Sequence, residues 1–200
     1  MNTNRKTIRL KGYDYSQLGW YFVTVCTENR ECLFGDIVGS PPHMELNKMG
    51  KIIKNVWESL PNHHPVELDV FQIMPNHVHF VLVICARRGI ACNARNNIAC
   101  NAQTTNNTGC ARTMDSGCAR TTPTRATTFQ HVVTGSLPCV IRSFKSECSK
   151  QIRRMVNNPN MIIWQRNYYE QIIRNETDLN KIREYIQSNP LMWERDRNNI

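Results

Sequence analysis

Long apolar runs are missing from this 200-residue chain. The longest strip, Phe80-Val-Leu-Val-Ile-Cys-Ala86, falls far short of the roughly eighteen residues a membrane-spanning helix needs. The N-terminal Met1-Asn-Thr-Asn-Arg-Lys6 has no apolar signal core, so the expected location is the cytoplasm, without a membrane partner. Acidic residues are comparatively few: 16 Asp and Glu stand against 25 Lys and Arg, a formal net charge of +9. Such a surplus attracts polyanions, of which nucleic acid is the commonest, although many basic proteins bind none specifically. A paired-cysteine framework is also missing, because the nine cysteines are odd in number and no export signal accompanies them. Core-forming residues are not scarce. Hydrophobic residues make up 40% and charged residues 20%, which excludes wholesale disorder. The length suits one domain.

Texture divides the chain in three. Residues 1–84 alternate apolar stretches with turns, and residues 129–200 show apolar periodicity again. Between them, residues 86–128 are poor in large apolar side chains. Ile90-Ala-Cys-Asn-Ala94 recurs as Ile98-Ala-Cys-Asn-Ala102, and Gly109-Cys-Ala-Arg-Thr113 recurs as Gly117-Cys-Ala-Arg-Thr121. A shared period of eight residues points to short tandem duplications. Too little bulk is present to offset the entropy of ordering, so this stretch reads as a flexible insertion within a single domain spanning 1–200. Its cysteines, Cys92, Cys100, Cys110 and Cys118, follow the repeat period and not the close pairing of structural zinc sites.

Local pattern predicts the elements. Trp20 to Thr27 is rich in aromatic and β-branched residues and reads as a strand. Leu46 to Leu60 places Leu46, Met49, Ile52, Ile53, Val56, Trp57 and Leu60 at helical spacing, and Pro61 ends the run. Val66–Met74 and His77–Ile84 read as two strands of a hairpin around the turn at Pro75-Asn76. A helix follows over about residues 138–156, then a strand over Tyr168–Ile173. A last helix is capped by Asn175, with Asp178 three residues on, and ends near Asn189-Pro190. The order β-α-β-β-α-β-α begins with the ferredoxin-like split βαβ pattern. The fold class expected is therefore α+β: an antiparallel sheet with helices on one face and the other face open to a ligand.

Two clusters can carry chemistry. In Pro75-Asn-His77-Val-His79-Phe80 the two histidines sit at i and i+2 of a strand and so share a face, with Val78 pointing into the core. Side-by-side imidazoles suit a divalent metal, and they equally suit ordinary hydrogen bonding. On the last helix, Tyr185 and Asn189 lie four residues apart and share a face. A tyrosine hydroxyl can attack phosphorus if cations assist it, and an amide oxygen can complete a two-imidazole metal site. A half-buried packing tyrosine and an ordinary helix end fit the same residues. His63 and His64 are adjacent in a loop-like setting and make a poorer ligand pair.

Several stretches in order give a resemblance. Arg9-Leu-Lys-Gly-Tyr-Asp-Tyr-Ser16, Tyr21-Phe-Val-Thr-Val-Cys-Thr27, Met74-Pro-Asn-His-Val-His-Phe80, Leu137-Pro-Cys-Val-Ile-Arg-Ser-Phe-Lys145, Trp164-Gln-Arg-Asn-Tyr-Tyr-Glu170 and Ile173-Arg-Asn-Glu-Thr-Asp-Leu179, followed by Tyr185 and Asn189-Pro190, resemble the REP-associated tyrosine transposases. These are single-tyrosine HUH nucleases, related to the transposases of the smallest insertion sequences. The resemblance covers nearly the whole chain except residues 86–128.

The resemblance implies metal-dependent cleavage and joining of single-stranded DNA beside hairpins of the repeated extragenic palindrome type. His77 and His79 match the paired metal ligands, Asn189 the third ligand and Tyr185 the nucleophile. The cofactor implied is Mg²⁺ or Mn²⁺, and the intermediate a 5′-phosphotyrosine. Arg5, Lys6, Arg9 and Lys11 form a basic arm, and Arg142, Lys145 and Arg166 are further candidates for phosphate contact. Trp164, Tyr168 and Tyr169 are candidates for base stacking. The implied protein is a monomer or homodimer, associated with the nucleoid when bound to DNA. Two rival readings stand beside it: a non-catalytic binder of hairpin DNA or RNA, and a metal-dependent hydrolase that uses water.

Overall fold

Alternating side chains on four strands build the centre of the molecule. The structure is a computed structural model that describes residues 13–85, 135–196, 198 and 199. The expected insertion at 86–128, its cysteines and the basic arm of Arg5, Lys6, Arg9 and Lys11 lie outside the described residues.

Strand β1 (Gly19–Cys26) is followed by a small hairpin, β2 (Gly35–Val38) and β3 (His43–Leu46), and then by helix α1 (Lys48–Ser59). Strands β4 (Val66–Met74) and β5 (His77–Ile84) come next. Helix α2 (Leu137–Met155), strand β6 (Tyr169–Ile173) and helix α3 (Glu176–Ser188) complete the fold, with a 3-10 segment over Asn189–Arg195. The main sheet has the order β4-β5-β1-β6 and all its neighbours are antiparallel. This is the expected split βαβ architecture.

Each face of the sheet has its own core. Tyr21, Val23, Val25, Val78, Phe80 and Leu82 pack against Ile53, Val56 and Trp57 of α1 and Val140, Ile141 and Phe144 of α2. Aromatic rings lock this layer: Trp57 lies 4.8 Å from Phe71 and 4.7 Å from Phe80, centroid to centroid. On the opposite face, Trp20, Phe22, Val81, Val83 and Ile173 pack against Leu179 and Ile186 of α3. The face expected to be open is thus partly covered. The reason lies in β5, where Val81 and Val83 follow the two histidines on the same face and need an apolar partner.

Caps and close approaches fix the helices. Asn47 accepts hydrogen bonds from Met49 N at 2.8 Å and Gly50 N at 3.0 Å at the start of α1. A Cβ on Gly50 would stand 2.3 Å from the Phe34 carbonyl oxygen, so only glycine lets α1 approach that loop. Asn175 caps α3 as expected, accepting from Asp178 N at 2.8 Å. Arg183 fastens α3 to the far edge of the sheet: its Nη2 lies 2.7 Å from Asp69 Oδ2 and its Nε 3.0 Å from the same oxygen. Asp69 lies at a register shift of β4, between Leu68 and Phe71.

The β2–β3 hairpin has no counterpart in the sequence expectation. Its strands are short and mostly half-buried or exposed, so the alternation that marks a buried strand is weak. The last helix ends at Ser188 with Asn189 as its cap, as expected, and a 3-10 segment follows it. Pro190 falls at the start of the 3-10 segment, where its missing N–H is harmless, and the chain turns on to Asp196. Among the described residues, no helix is long and apolar enough to cross a membrane.

Candidate active site

Strand register determines which side chains meet. Along the face that carries α3, Cys26 pairs with His77, Thr24 with His79, and Thr24 also with Tyr169 of β6. The apolar residues of this face lie at one end, under α3, and the polar ones at the other. His77 and His79 are fully buried there.

The two imidazoles face each other through Nε2, 2.9 Å apart. Each is held from behind. His77 Nδ1 lies 2.7 Å from Asn76 Oδ1, and His79 Nδ1 lies 2.8 Å from Thr24 Oγ1. The Asn76 amide is itself oriented, because Nδ2 donates to the carbonyl oxygens of Asn198 at 2.6 Å and Arg30 at 3.2 Å. Its Oδ1 must therefore accept from His77 Nδ1, so in the neutral ring the proton is on Nδ1 and the lone pair on Nε2. Backing of this kind is what orients histidines for metal binding.

Three other groups join the pair. Tyr185 lies above it on α3, with ring centroids 5.4 Å from His79 and 6.2 Å from Phe22. It is 43% exposed, so a substrate can reach it. Asn189 is 3% exposed, and its Oδ1 has no hydrogen-bond partner. Asp196, absent from the sequence expectation, places Oδ2 3.8 Å from His77 Nε2. Ligand atoms of His77, His79 and Asp196 all lie within 4.8 Å of one another. Asn198 N donates to Asp196 Oδ1 at 2.6 Å, and Arg30 Nη1 donates to Asn198 Oδ1 at 2.6 Å, so the C-terminal segment is clasped over the histidines.

The donor set fits a divalent cation. Two nitrogens each about 2.1 Å from one ion, at a right angle, stand about 3 Å apart, close to the spacing found here. A buried amide oxygen without a partner is costly unless something binds it. Asn189, Tyr185 and Asp196 line one cleft of about 730 Å³, together with Tyr169, Lys181 and Arg195. The histidines lie behind this wall.

The remaining expected contacts divide. Arg142 and Arg166 are exposed. Lys145 instead donates to the carbonyl oxygens of Gln165, Arg166 at 3.4 Å and Asn167 at 3.5 Å, tying α2 to the segment that leads into β6. Burial lowers its pKa to about 8, and the charges at Cys26 and Glu28 act the other way. His63 and His64 line a different cavity with Ser59 and Glu147, away from the paired histidines.

No protein-family model matches the chain. An uncharacterised protein of Haemophilus influenzae is 36% identical over 196 residues, covering 97% of this chain and 92% of its own. The two proteins belong to one family. This chain shares a fold with a solved REP-associated tyrosine transposase bound to a REP hairpin. That structure overlays at a TM-score of 0.50 with 16% identity, covering 96% of this chain and 74% of its own. A transposase structure from Deinococcus radiodurans covers 90% of this chain and 95% of its own, at 14% identity and a TM-score of 0.42, too loosely to add to the argument.

Proposed function

We propose that the protein is a tyrosine transposase that cuts and rejoins single-stranded DNA beside a hairpin. The observation that carries this reading is the meeting of Tyr185, which lines an open cleft, with two Nε2-facing histidines buried behind it. His77, His79 and Asn189 would hold Mg²⁺ or Mn²⁺, with the Asp196 carboxylate beside them. When bound, the cation supplies Lewis-acid neutralisation of phosphate charge.

The chain's own residues do the rest. Tyr185 attacks the scissile phosphorus through its phenolic oxygen. The Tyr185 O–P bond forms and the P–O3′ bond breaks. The phenolic proton passes to solvent, and the leaving oxygen becomes a 3′-hydroxyl. The phosphotyrosine keeps the energy of the broken bond, so a later 3′-hydroxyl can reseal the strand by the reverse exchange. Asn76 and Thr24 keep the imidazoles aimed. Arg142 and Arg166, together with Arg5, Lys6, Arg9 and Lys11, would meet backbone phosphates. Lys145 would act through the backbone it holds as much as through its charge.

A pure binding protein has no need for His77, His79 and Tyr185 together, which sets the rival reading second. The deciding experiment incubates labelled hairpin DNA from repeats flanking the gene with the protein and Mg²⁺ or Mn²⁺, resolved on denaturing gels. The expected result is a covalent adduct that Tyr185→Phe and His77→Ala both abolish. Binding without an adduct under either metal would support the binder. Nicked DNA without an adduct would make water the nucleophile.

A further inference from the structure

We infer that the cleft beside Tyr185 is a pocket for a single nucleobase of the DNA strand, with Tyr169 as its stacking platform and Gln171 as the group that reads the base edge. This rests on the proposed action on single-stranded DNA and adds a point of sequence recognition to it.

Three aromatic residues compete for a stacking role. Trp164 is only 6% exposed and packs 5.2 Å from Phe34 and 5.9 Å from Phe144, centroid to centroid, in the helix-covered core. Tyr168 is half-buried against the same core. Tyr169 belongs to the other face of β6 and is 37% exposed. It is braced by Phe22 at 6.1 Å in an edge-on arrangement, and Phe22 in turn meets Tyr185. One aromatic chain thus runs from the platform to the nucleophile.

The rest of the wall suits a nucleotide. Gln171 follows Tyr169 on the same side of β6 and is exposed to the cleft. The Tyr169 hydroxyl donates to Gln171 Oε1 at 3.5 Å, which leaves the amide N–H groups and a second lone pair of that oxygen for a base edge. Met192 adds a soft apolar surface, 48% exposed. Lys181 and Arg195 bring positive charge to the same cleft. An aromatic floor, the Gln171 amide and two cations make the complement of a base carrying a phosphate, while Asn189 and the Asp196 carboxylate line the end of the cleft beside the histidines. The volume of about 730 Å³ is enough for a nucleotide or two. Stacking on an aromatic ring is tolerant of sequence, so any preference at this position comes from Gln171.

The test uses Tyr185→Phe protein, so that binding is read without turnover. Fluorescein-labelled hairpins with single-stranded arms, drawn from repeats flanking the gene, carry one abasic position that is moved along the arm. Fluorescence anisotropy gives the dissociation constant for each. One position should weaken binding by about 5- to 100-fold when its base is missing. That sensitivity should disappear in Tyr185→Phe/Tyr169→Ala and persist in Tyr185→Phe/Tyr169→Phe. In Tyr185→Phe/Gln171→Ala the affinity should hold while the base preference at that one position is lost. Tight binding with no sensitive position, or a sensitive position unchanged in the Tyr169→Ala variant, would overturn the pocket and leave the nuclease reading standing. Absence of any binding to the hairpins would overturn both. Tyr169→Leu checks that loss of the ring, and not of fold, is responsible.

Discussion

Asn76 Oδ1 lies 2.7 Å from His77 Nδ1, and this contact decides which ring nitrogen carries the proton. The amide cannot turn round, because its other end donates to the carbonyl of Asn198. Asn76→Ala should therefore weaken Mn²⁺ binding by about 10- to 100-fold, as removal of such backing groups does. It should also cost about 1–3 kcal/mol of stability by leaving buried carbonyls unpaired. Calorimetric titration with Mn²⁺ and urea unfolding separate the two effects.

Thr24 offers a gentler version of the same experiment. Its hydroxyl lies 2.8 Å from His79 Nδ1, and valine has nearly the same shape. Thr24→Val should lower Mn²⁺ affinity by about tenfold with a stability change near 1 kcal/mol. Equal affinity for Mn²⁺ in the two proteins would show that His79 needs no such support.

The pair between Arg183 and Asp69 spans 114 residues of sequence and joins the tyrosine helix to β4. Arg183 also lies over the Trp20 ring at 5.5 Å. Partial exposure of the arginine, 35% by side chain, limits the value of the charges. Arg183→Met should destabilise the protein by about 1 kcal/mol, and a double-mutant cycle with Asp69→Asn should return most of that as coupling. Because Tyr185 rides on the same helix, adduct formation should fall more than global stability does.

Alkaline stability has opposing contributions, with Tyr21, Cys32 and Cys148 raised by burial and Lys145 lowered by it. Burial raises the Cys148 thiol above its ordinary range. Its contribution is complete below the unfolded thiol's pKa and is lost as pH rises past it, because the unfolded chain ionises first. Lys145 has the opposite sign. Its pKa of about 8 lies below that of an unfolded lysine, so the unfolded state holds more protons between the two values and the contribution rises with pH. Thermal unfolding between pH 7.5 and 10 should fall less steeply in Cys148→Ala than in the unaltered protein, and more steeply in Lys145→Met. The reverse order would contradict both assignments.

Local pattern was enough to read the main sheet and three helices, because each depends on a period of two or of about 3.6 residues. It also placed His77 and His79 on one face and Tyr185 one turn before Asn189. Asp196 and Thr24 were not legible. Thr24 meets His79 across a strand pairing 55 residues away in sequence, and Asp196 returns to His77 only because the chain beyond Pro190 curls back. The bend depends on a clasp between Arg30 and Asn198, for which neighbouring residues give no signal. Lys145 shows a different limit: charge is visible in a sequence, but the carbonyls that absorb it are not.

The pairing of Thr24 with both His79 and Tyr169 sets a direction. The histidine, the threonine and the tyrosine lie in one row at right angles to the strands, on β5, β1 and β6. Neighbouring strands are about 4.8 Å apart, so the row is about 10 Å long. A DNA strand that meets the histidines and rests a base on Tyr169 must cross the sheet and cannot run along it. The spacing of hydrogen-bonded strands, a constant of the polypeptide backbone, would then act as the ruler that fixes how far from the recognised base the cut falls.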